Sequence, residues 1–214
     1  MSEKMLRIEY DVQHHLLLSR NNLRDHALIR MIISALCTPE ELSNLTKKDF
    51  RIYRGKNYSF HVVQLRGKFI RNSPVDEKTY KIVSSLGDKP FDMKLEEMDE
   101  IVKKYSPSDS IYDAKKLRNA VVTLLKDSSL FEIDFETLKE LEELYMFMLD
   151  FNPIYSDVWD IEDEEGLEEF LLNIAEIEGT DSKKISEKLG LDEEKVSKIL
   201  SSGKKSLFSF LKRL

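Results

Sequence analysis

The chain has 214 residues, 41% of them apolar and 34% charged, a balance that suits one large or two small soluble globular domains. No apolar run approaches the length of a membrane span. The opening MSEKMLRIEYD lacks the apolar core of a signal peptide. One cysteine, Cys37, excludes an internal disulfide, and together these features give the expectation of a cytoplasmic protein. The net charge of −7 conceals an asymmetry: residues 1–131 carry 23 Lys and Arg against 18 Asp and Glu, residues 132–179 carry one against 17, and residues 180–214 carry nine against five. Two basic segments therefore flank an acidic one, and the whole-chain charge misleads about partners.

In chain order, VQHHLLLSRNNLR reads as a helix or a helical approach to the core, broken at Asn21–Asn22. His14 and His15 are adjacent and point in different directions on a helix. Two metal-binding histidines on one helix face need a spacing near four, so His14, His15, His26 and His61 read as surface or packing residues, and no metal or cofactor is expected. The stretch ALIRMIISALCTPEELSNLTKKDF follows. Leu28, Met31, Ile32, Ala35 and Leu36 recur at helical spacing on a broad face, which predicts a central buried helix. Thr38 suits the N-cap of a second, short helix with Pro39 in its first turn and Glu40 and Glu41 at its positive end. Cys37 reads as a buried structural thiol. The segment RIYRGKNYSFHVVQLRGKFIRNSPV is β-like, with Gly55-Lys56-Asn57 as a turn.

Further on, SPVDEKTYKIVSSLGDKP reads as a helix anchored by Val75, Tyr80, Ile82 and Val83. MKLEEMDEIVKKY is a second, with Leu95, Met98, Ile101, Val102 and Tyr105 inward. AKKLRNAVVTLLKDSSL is a third, with Leu117, Val121, Leu124 and Leu125 inward. FEIDFETLKELEELYMFMLDF reads as a helix packed through Phe135, Leu138, Leu141, Leu144, Tyr145 and Met148, ended by Asn152-Pro153. The acidic IYSDVWDIEDEEG, with Trp159, reads either as a solvated linker or as a strip that grips a basic surface.

The order of these elements resembles the catalytic domain of the tyrosine recombinases, the phage-integrase family. There a buried helix ends in a motif like T-G-L-R-x-S-E-L-x-x-L and a small antiparallel sheet follows. Here the text is A-L-C-T-P-E-E-L-S-N-L, with Glu41, Leu42 and Leu45 on the family's Glu, Leu and Leu and Thr38 on its first catalytic Arg. Lys115-Lys116-Leu117-Arg118-Asn119 lies where the family has His-x-Leu-Arg-His. Arg118 thus stands on the second catalytic Arg, while Lys115 and Asn119 replace the histidines. Lys68, in L-R-G-K-F-I-R, matches the family's hairpin lysine. The resemblance covers Asn21 to Leu130.

Family chemistry requires two arginines and His/Lys groups to stabilise a scissile phosphate while a tyrosine attacks it. Only Arg118 and Lys68 survive. Tyr145 is the candidate nucleophile, but it lies in an apolar helical run amid carboxylates that oppose a tyrosinate. It reads as a core or interface residue, and no catalytic residue is assigned. Arg66, Lys68, Arg71, Lys115, Lys116 and Arg118 are expected on one concave face, with no carboxylate among them, contacting DNA phosphates. The alternative for Arg118 is a bond to Asp113 or to a buried carbonyl that holds the start of its helix.

Residues 164–201 read helix, G-T-D, helix, L-G-L-D, helix. Leu167, Phe170, Leu171, Ile174 and Ile177 line the first, Ile185 and Leu189 the second, and Val196, Ile199 and Leu200 the third. Asp181 and Asp192 suit N-caps and Gly190 the tight turn. This resembles the helix-turn-helix of transcription regulators. A separate terminal helix, SLFSFLKRL, is expected after Gly203, packed on the other three or forming a homodimer contact. Asp192, Glu193 and Glu194 oppose groove contact by the recognition turn, whereas Lys195, Lys198, Lys204 and Lys205 favour it.

The sequence therefore predicts an α+β protein, mainly α with a small antiparallel sheet near residues 50–72. Residues 1–150 form a recombinase-like domain with its core at 21–130, residues 151–163 an acidic linker, and residues 164–214 a helix-turn-helix domain. The expected function is non-catalytic binding of duplex DNA through backbone contacts, regulatory or architectural. The alternatives are an interaction module whose acidic segment 132–179 engages a basic protein, and an active site-specific recombinase.

Overall fold

The structure is a computed structural model that describes residues 3–107, 110–128, 140–155 and 164–211. The chain divides into two compact units, Met1–Trp159 and Asp160–Leu214. The first is helical around one small antiparallel sheet. The second is three helices.

In the first unit α1 (Glu3–Ser19) leads into α2 (Leu23–Ser34), whose N-cap Asn22 accepts from the Asp25 amide. Every α2 residue from Asp25 to Ser34 is buried, so this is the central helix its broad apolar pattern predicts. The chain then turns at Leu36, which adopts a left-handed φ of 54°. Such a conformation costs a branched residue about 1–2 kcal/mol, and burying a leucine returns about 1.5–3 kcal/mol. Leu36 is fully buried, so the packing wins. The short α3 (Pro39–Ser43) starts with the predicted Thr38 cap, as a reciprocal capping box with Glu41.

A 3-10 turn at Lys47–Asp49 feeds β1 (Phe50–Arg54), β2 (Ser59–Arg66) and β3 (Ile70–Val75), in the order β1-β2-β3. The pairs Ile52–His61 and His61–Val75 fix the register. Ser73, Pro74 and Val75, which the sequence places both at the end of the β-like segment and at the start of the next helix, belong to β3. Pro74 is tolerated because β3 is an edge strand. Helix α4 (Glu77–Ser84) begins one residue later, capped by Asp76, whose carboxylate accepts from the Thr79 amide.

Helix α5 (Leu95–Lys104) buries Met98 and Val102, but Leu95, expected inward, is 43% exposed at its first position. Asp25 ties α2 to this helix, accepting from Tyr105 Oη at 2.7 Å and Lys104 Nζ at 3.1 Å. Helix α6 (Ala114–Ser128) is capped by Asp113, which accepts from the Lys116 amide. Helix α7 (Leu141–Phe151) packs on the sheet, with Tyr145 stacked on Phe60 at 3.9 Å. The Glu142 carboxylate of α7 lies against Gly55, where a Cβ would force that side chain to shift. Phe135 and Leu138 lie outside the described residues, as does Trp159. The start of the expected linker belongs to this core: Asn152 is buried and donates to the Ile33 carbonyl at 2.9 Å. Tyr155, in the 3-10 turn Pro153–Tyr155, donates to the Ser34 carbonyl.

The four histidines make contacts within the fold. His14 Nδ1 donates to the Tyr105 carbonyl at 3.0 Å, and His15 Nδ1 to the Asp11 carbonyl at 2.6 Å. His26 pairs with Ser19, and His61 stacks on Tyr80.

The second unit comprises α8 (Glu164–Glu178), α9 (Ser182–Leu189) and α10 (Glu193–Leu211). Phe170, Leu171, Ile174, Ile185, Leu189 and Val196 form its core. Asp181 caps α9 and Asp192 caps α10. Gly190 takes the left-handed conformation that ends α9, at φ 62°. The expected separate terminal helix is absent, because α10 runs through Gly203 to Leu211. An interior glycine costs a helix only about 1 kcal/mol, and neither Lys204 nor Lys205 interrupts it. The side chains of Ile177, Lys204, Lys205 and the terminal apolar residues lie outside those described. No helix among the described residues is long and apolar enough to cross a membrane.

Candidate nucleic-acid interface

Thr38 to Glu41, at the start of α3, line the floor of a cleft of about 650 Å³. Two separate segments supply its cations: Lys68 and Arg71 from the β2–β3 hairpin, and Lys115 and Arg118 from the first turns of α6. The hairpin can approach α3 closely because position 67 is glycine. A Cβ there would stand 3.0 Å from the Glu41 side chain.

Two guanidiniums converge on one carbonyl. Arg71 Nη2 donates to Leu36 O at 2.9 Å and Arg118 Nε donates to it at 2.7 Å. The left-handed turn at Leu36 presents that oxygen to both. Arg71 also grips Glu41 with two parallel bonds, Nε to Oε1 at 2.7 Å and Nη2 to Oε2 at 2.9 Å, the fork geometry that only arginine offers. Glu41 has a second task, since Oε2 accepts from the Thr38 amide at 2.9 Å. Burial works against the charged form of Glu41, but the bonds from Arg71 and Thr38 outweigh it and hold its pKa below the ordinary carboxylate value. Burial likewise opposes the charge on Arg71, and Glu41 more than restores it.

The expectation of a carboxylate-free face is wrong. Glu40, Glu41, Asp99 and Asp113 line the same cleft. Their positions explain it: Glu40 and Glu41 start α3, Asp113 caps α6, and Asp99 accepts from the Ala114 amide at 3.1 Å. Helix starts attract carboxylates, and this cleft is built from two of them. The expected grouping of Arg66 with Arg71 fails as well. Arg66 pairs with Ile70 across the strands and so points to the opposite face of the sheet, where it forms an ion pair with Asp49. Lys116 is exposed but does not line the cleft. Arg118 realises the alternative of a bond to a backbone carbonyl, that of Leu36.

Sequence reasoning missed Phe69 and Leu95. Phe69 is 73% exposed at the hairpin tip, with Lys68 Nζ 5.5 Å from its ring, and both residues line the cleft. The signal for Phe69 was its place in a Gly-Lys-Phe turn, where no core can reach it.

Cys37 lies beneath the floor, fully buried, and burial pushes its thiol up to about 12. Thr38 caps α3 with its hydroxyl. Tyr145 does not line the cleft. It belongs to an aromatic cluster with Tyr58, Phe60 and Tyr155, and burial raises its pKa. In the second unit Lys195 and Lys198 are exposed on α10, beside exposed Asp192, Glu193 and Glu194. No cluster of His, Cys, Asp or Glu that could hold a metal occurs among the described residues.

These features define a class: a helical protein built around a three-stranded antiparallel sheet, with a separate three-helix unit. The chain is 52% identical over 208 residues to an uncharacterized protein of Archaeoglobus fulgidus, spanning 96% of this chain and 97% of that one. It belongs to the same family as that protein. No protein-family model matches the chain, and no solved structure matches it.

Proposed function

We propose that this protein binds duplex DNA without catalysis, in a regulatory or architectural role, on a recombinase-like first domain and a helix-turn-helix second domain. The observation that carries the reading is the convergence of Lys68, Arg71, Lys115 and Arg118 on one open cleft. Three of the four carboxylates beside them are engaged with Arg71 or with backbone amides. Arg118 and Lys68 stand where the recombinase family places phosphate-binding groups, and Arg71 adds a second guanidinium near Thr38. Thr38, Lys115 and Asn119 supply none of the side chains that the family's phosphoryl transfer requires. Tyr145, stacked on Phe60, is poorly placed to ionise.

Because Arg118 also bonds to the Leu36 carbonyl, its removal mixes folding with binding. The exposed pair Lys68 and Lys115 separates them. Lys68→Ala with Lys115→Ala is expected to weaken mobility shifts on duplex and branched DNA. It should flatten log Kd against log salt by about two ions, roughly 0.9 per lost phosphate contact, while the melting temperature stays put. Wild-type protein that leaves duplex DNA unshifted at low salt would refute the reading. A covalent adduct on suicide substrates, lost in Tyr145→Phe, would refute its non-catalytic part.

A further inference from the structure

The strand register divides the sheet into two faces. The inner face, with Val63, Leu65 and Ser73, meets the α2–α3 turn, where Ser73 Oγ donates to the Ala35 carbonyl at 3.1 Å. On the outer face α7 covers one half, over Phe60, through the Tyr145 stack. Among the described residues of this unit nothing covers the other half, which carries Arg51, Gln64, Arg66, Ile70 and Asn72. Arg51, Arg66 and Asn72 are exposed, Gln64 is half-buried, and Ile70 is 70% exposed.

Three properties of this surface point the same way. Of the arginines on these strands Arg51 and Arg66 lie on this face, and the strands themselves contain no carboxylate; Asp49, just before β1, pairs with Arg66. Guanidiniums and amides are paired: Arg51 donates to Asn72 Oδ1 at 3.0 Å, across the intervening β2, and Arg66 donates to Gln64 Oε1 at 3.0 Å. The outer strands of such a sheet lie about 10 Å apart, within a major groove about 12 Å wide.

From these we infer that the uncovered half of the outer sheet face reads base edges in the major groove of duplex DNA. The inference rests on the DNA-binding reading above and adds sequence recognition to it. Arginine matches guanine O6 and N7, and asparagine or glutamine matches adenine N6 and N7. Strands are known to enter grooves in this way. An acidic protein would be met by donors alone, whereas two amides here supply acceptors as well. Single strands would need aromatic platforms, whereas on this face Phe60 is committed to α7 and Tyr53 packs against Phe60. Lys68 and Phe69 form the hairpin tip next to this surface, so a phosphate contact at the tip would set the register of the strands in the groove.

The test is selection of binding sites from a randomised duplex pool, at low salt, by the full chain and by Gln64→Ala, Asn72→Ala and Lys68→Ala. Wild type is expected to enrich a motif. Gln64→Ala and Asn72→Ala should each relax it at one or two adjacent positions and weaken the selected site about tenfold, with random duplex changed less than about twofold. Lys68→Ala should weaken all duplexes alike. A 7-deazapurine, which lacks N7, placed in the selected site should weaken wild-type protein about tenfold whatever the variants do. An unchanged motif in both amide variants, or an indifferent 7-deazapurine site, overturns the inference. Duplex binding with no enriched motif overturns it too, leaving the DNA-binding reading intact. No duplex binding at all overturns both.

Discussion

Arg30 and Arg71 each pair with a carboxylate from a neighbouring element, yet one is sealed and the other open. Arg30, in the middle of α2, donates from Nε to Thr79 Oγ1 and from Nη2 to Asp76 Oδ1, both at 2.9 Å, and its side chain is 6% exposed. Asp76 meanwhile caps α4 and receives no water-facing role. Arg71, on β3, reaches the carbonyls at the end of the same helix and grips Glu41 with two bonds, but remains 34% exposed beside the cleft. The difference teaches how to read an arginine in this fold. Where an ion pair also caps a helix and is closed over, its charges serve the fold. Where the pair borders a cleft, the guanidinium stays partly open to solvent.

The largest test of that contrast is at the sealed end. Arg30→Ala leaves Asp76 buried and uncompensated, and is expected to destabilise the first unit by about 3–5 kcal/mol in denaturant melts. A loss below about 1 kcal/mol would show that Asp76 is satisfied by its cap alone.

A second sealed group tests burial by pH. His15 is held near pKa 4, first by burial and then by the neighbouring His14, against its hydrogen bond to Asp11. Its folded pKa lies below the unfolded value of 6.5. Between pH 4 and 6.5 the unfolded chain therefore binds more protons, and stability falls as pH falls through that window, by up to about 3 kcal/mol. Above pH 6.5 both states are neutral and the contribution is complete. His15→Gln should flatten the pH dependence of stability within this window; an unchanged slope would place its source in the carboxylates.

At the open end the expected effects shrink. Arg71→Lys keeps the charge but loses the fork, so the bonds to the Ala35 and Leu36 carbonyls cannot all be remade. A loss of about 1–2 kcal/mol is expected in thermal melts, with weaker DNA binding. If stability is unaffected, Arg118 alone suffices to satisfy Leu36. Smallest of all is the stability effect of Lys68→Ala with Lys115→Ala, within about 0.5 kcal/mol because both are surface positions.

Much of the first unit was legible because its signals are local. The apolar face of α2, the Thr38-Pro39 start of α3 and the turn at Gly55 each declare themselves within a few residues. The caps Asp181 and Asp192 with Gly190 do the same for the three-helix unit. What stayed hidden is nonlocal or conformational. Leu36 fits the apolar period of α2, and no periodicity reveals that its φ is positive. Asp76 went unread as a cap, and its arginine lies 46 residues away. Glu40 and Asp113 were recognisable as helix-start residues, yet their meeting in one cleft depends on how α3 and α6 pack. Leu95 matched the buried stripe of α5 but sits at its first position, where the stripe runs out over the cleft. Gly203 looked like a terminator because glycine often is one, and the surrounding helix formers decided otherwise.

The shared carbonyl of Leu36 has a consequence for how the chain reaches this structure. Its bond to Arg118 joins residues 82 positions apart, and its bond to Arg71 spans 35. Closing loops of that length is entropically costly, and a left-handed leucine is sparsely populated before its surroundings form. The knot of α2, α6 and the hairpin at this oxygen should thus tie late in folding. Substitutions at Arg71 should leave the folding rate nearly untouched and speed unfolding, the behaviour of a contact absent from the transition state. The cleft would then be the last part of the first unit to assemble and, in native-state hydrogen exchange, among the first to open.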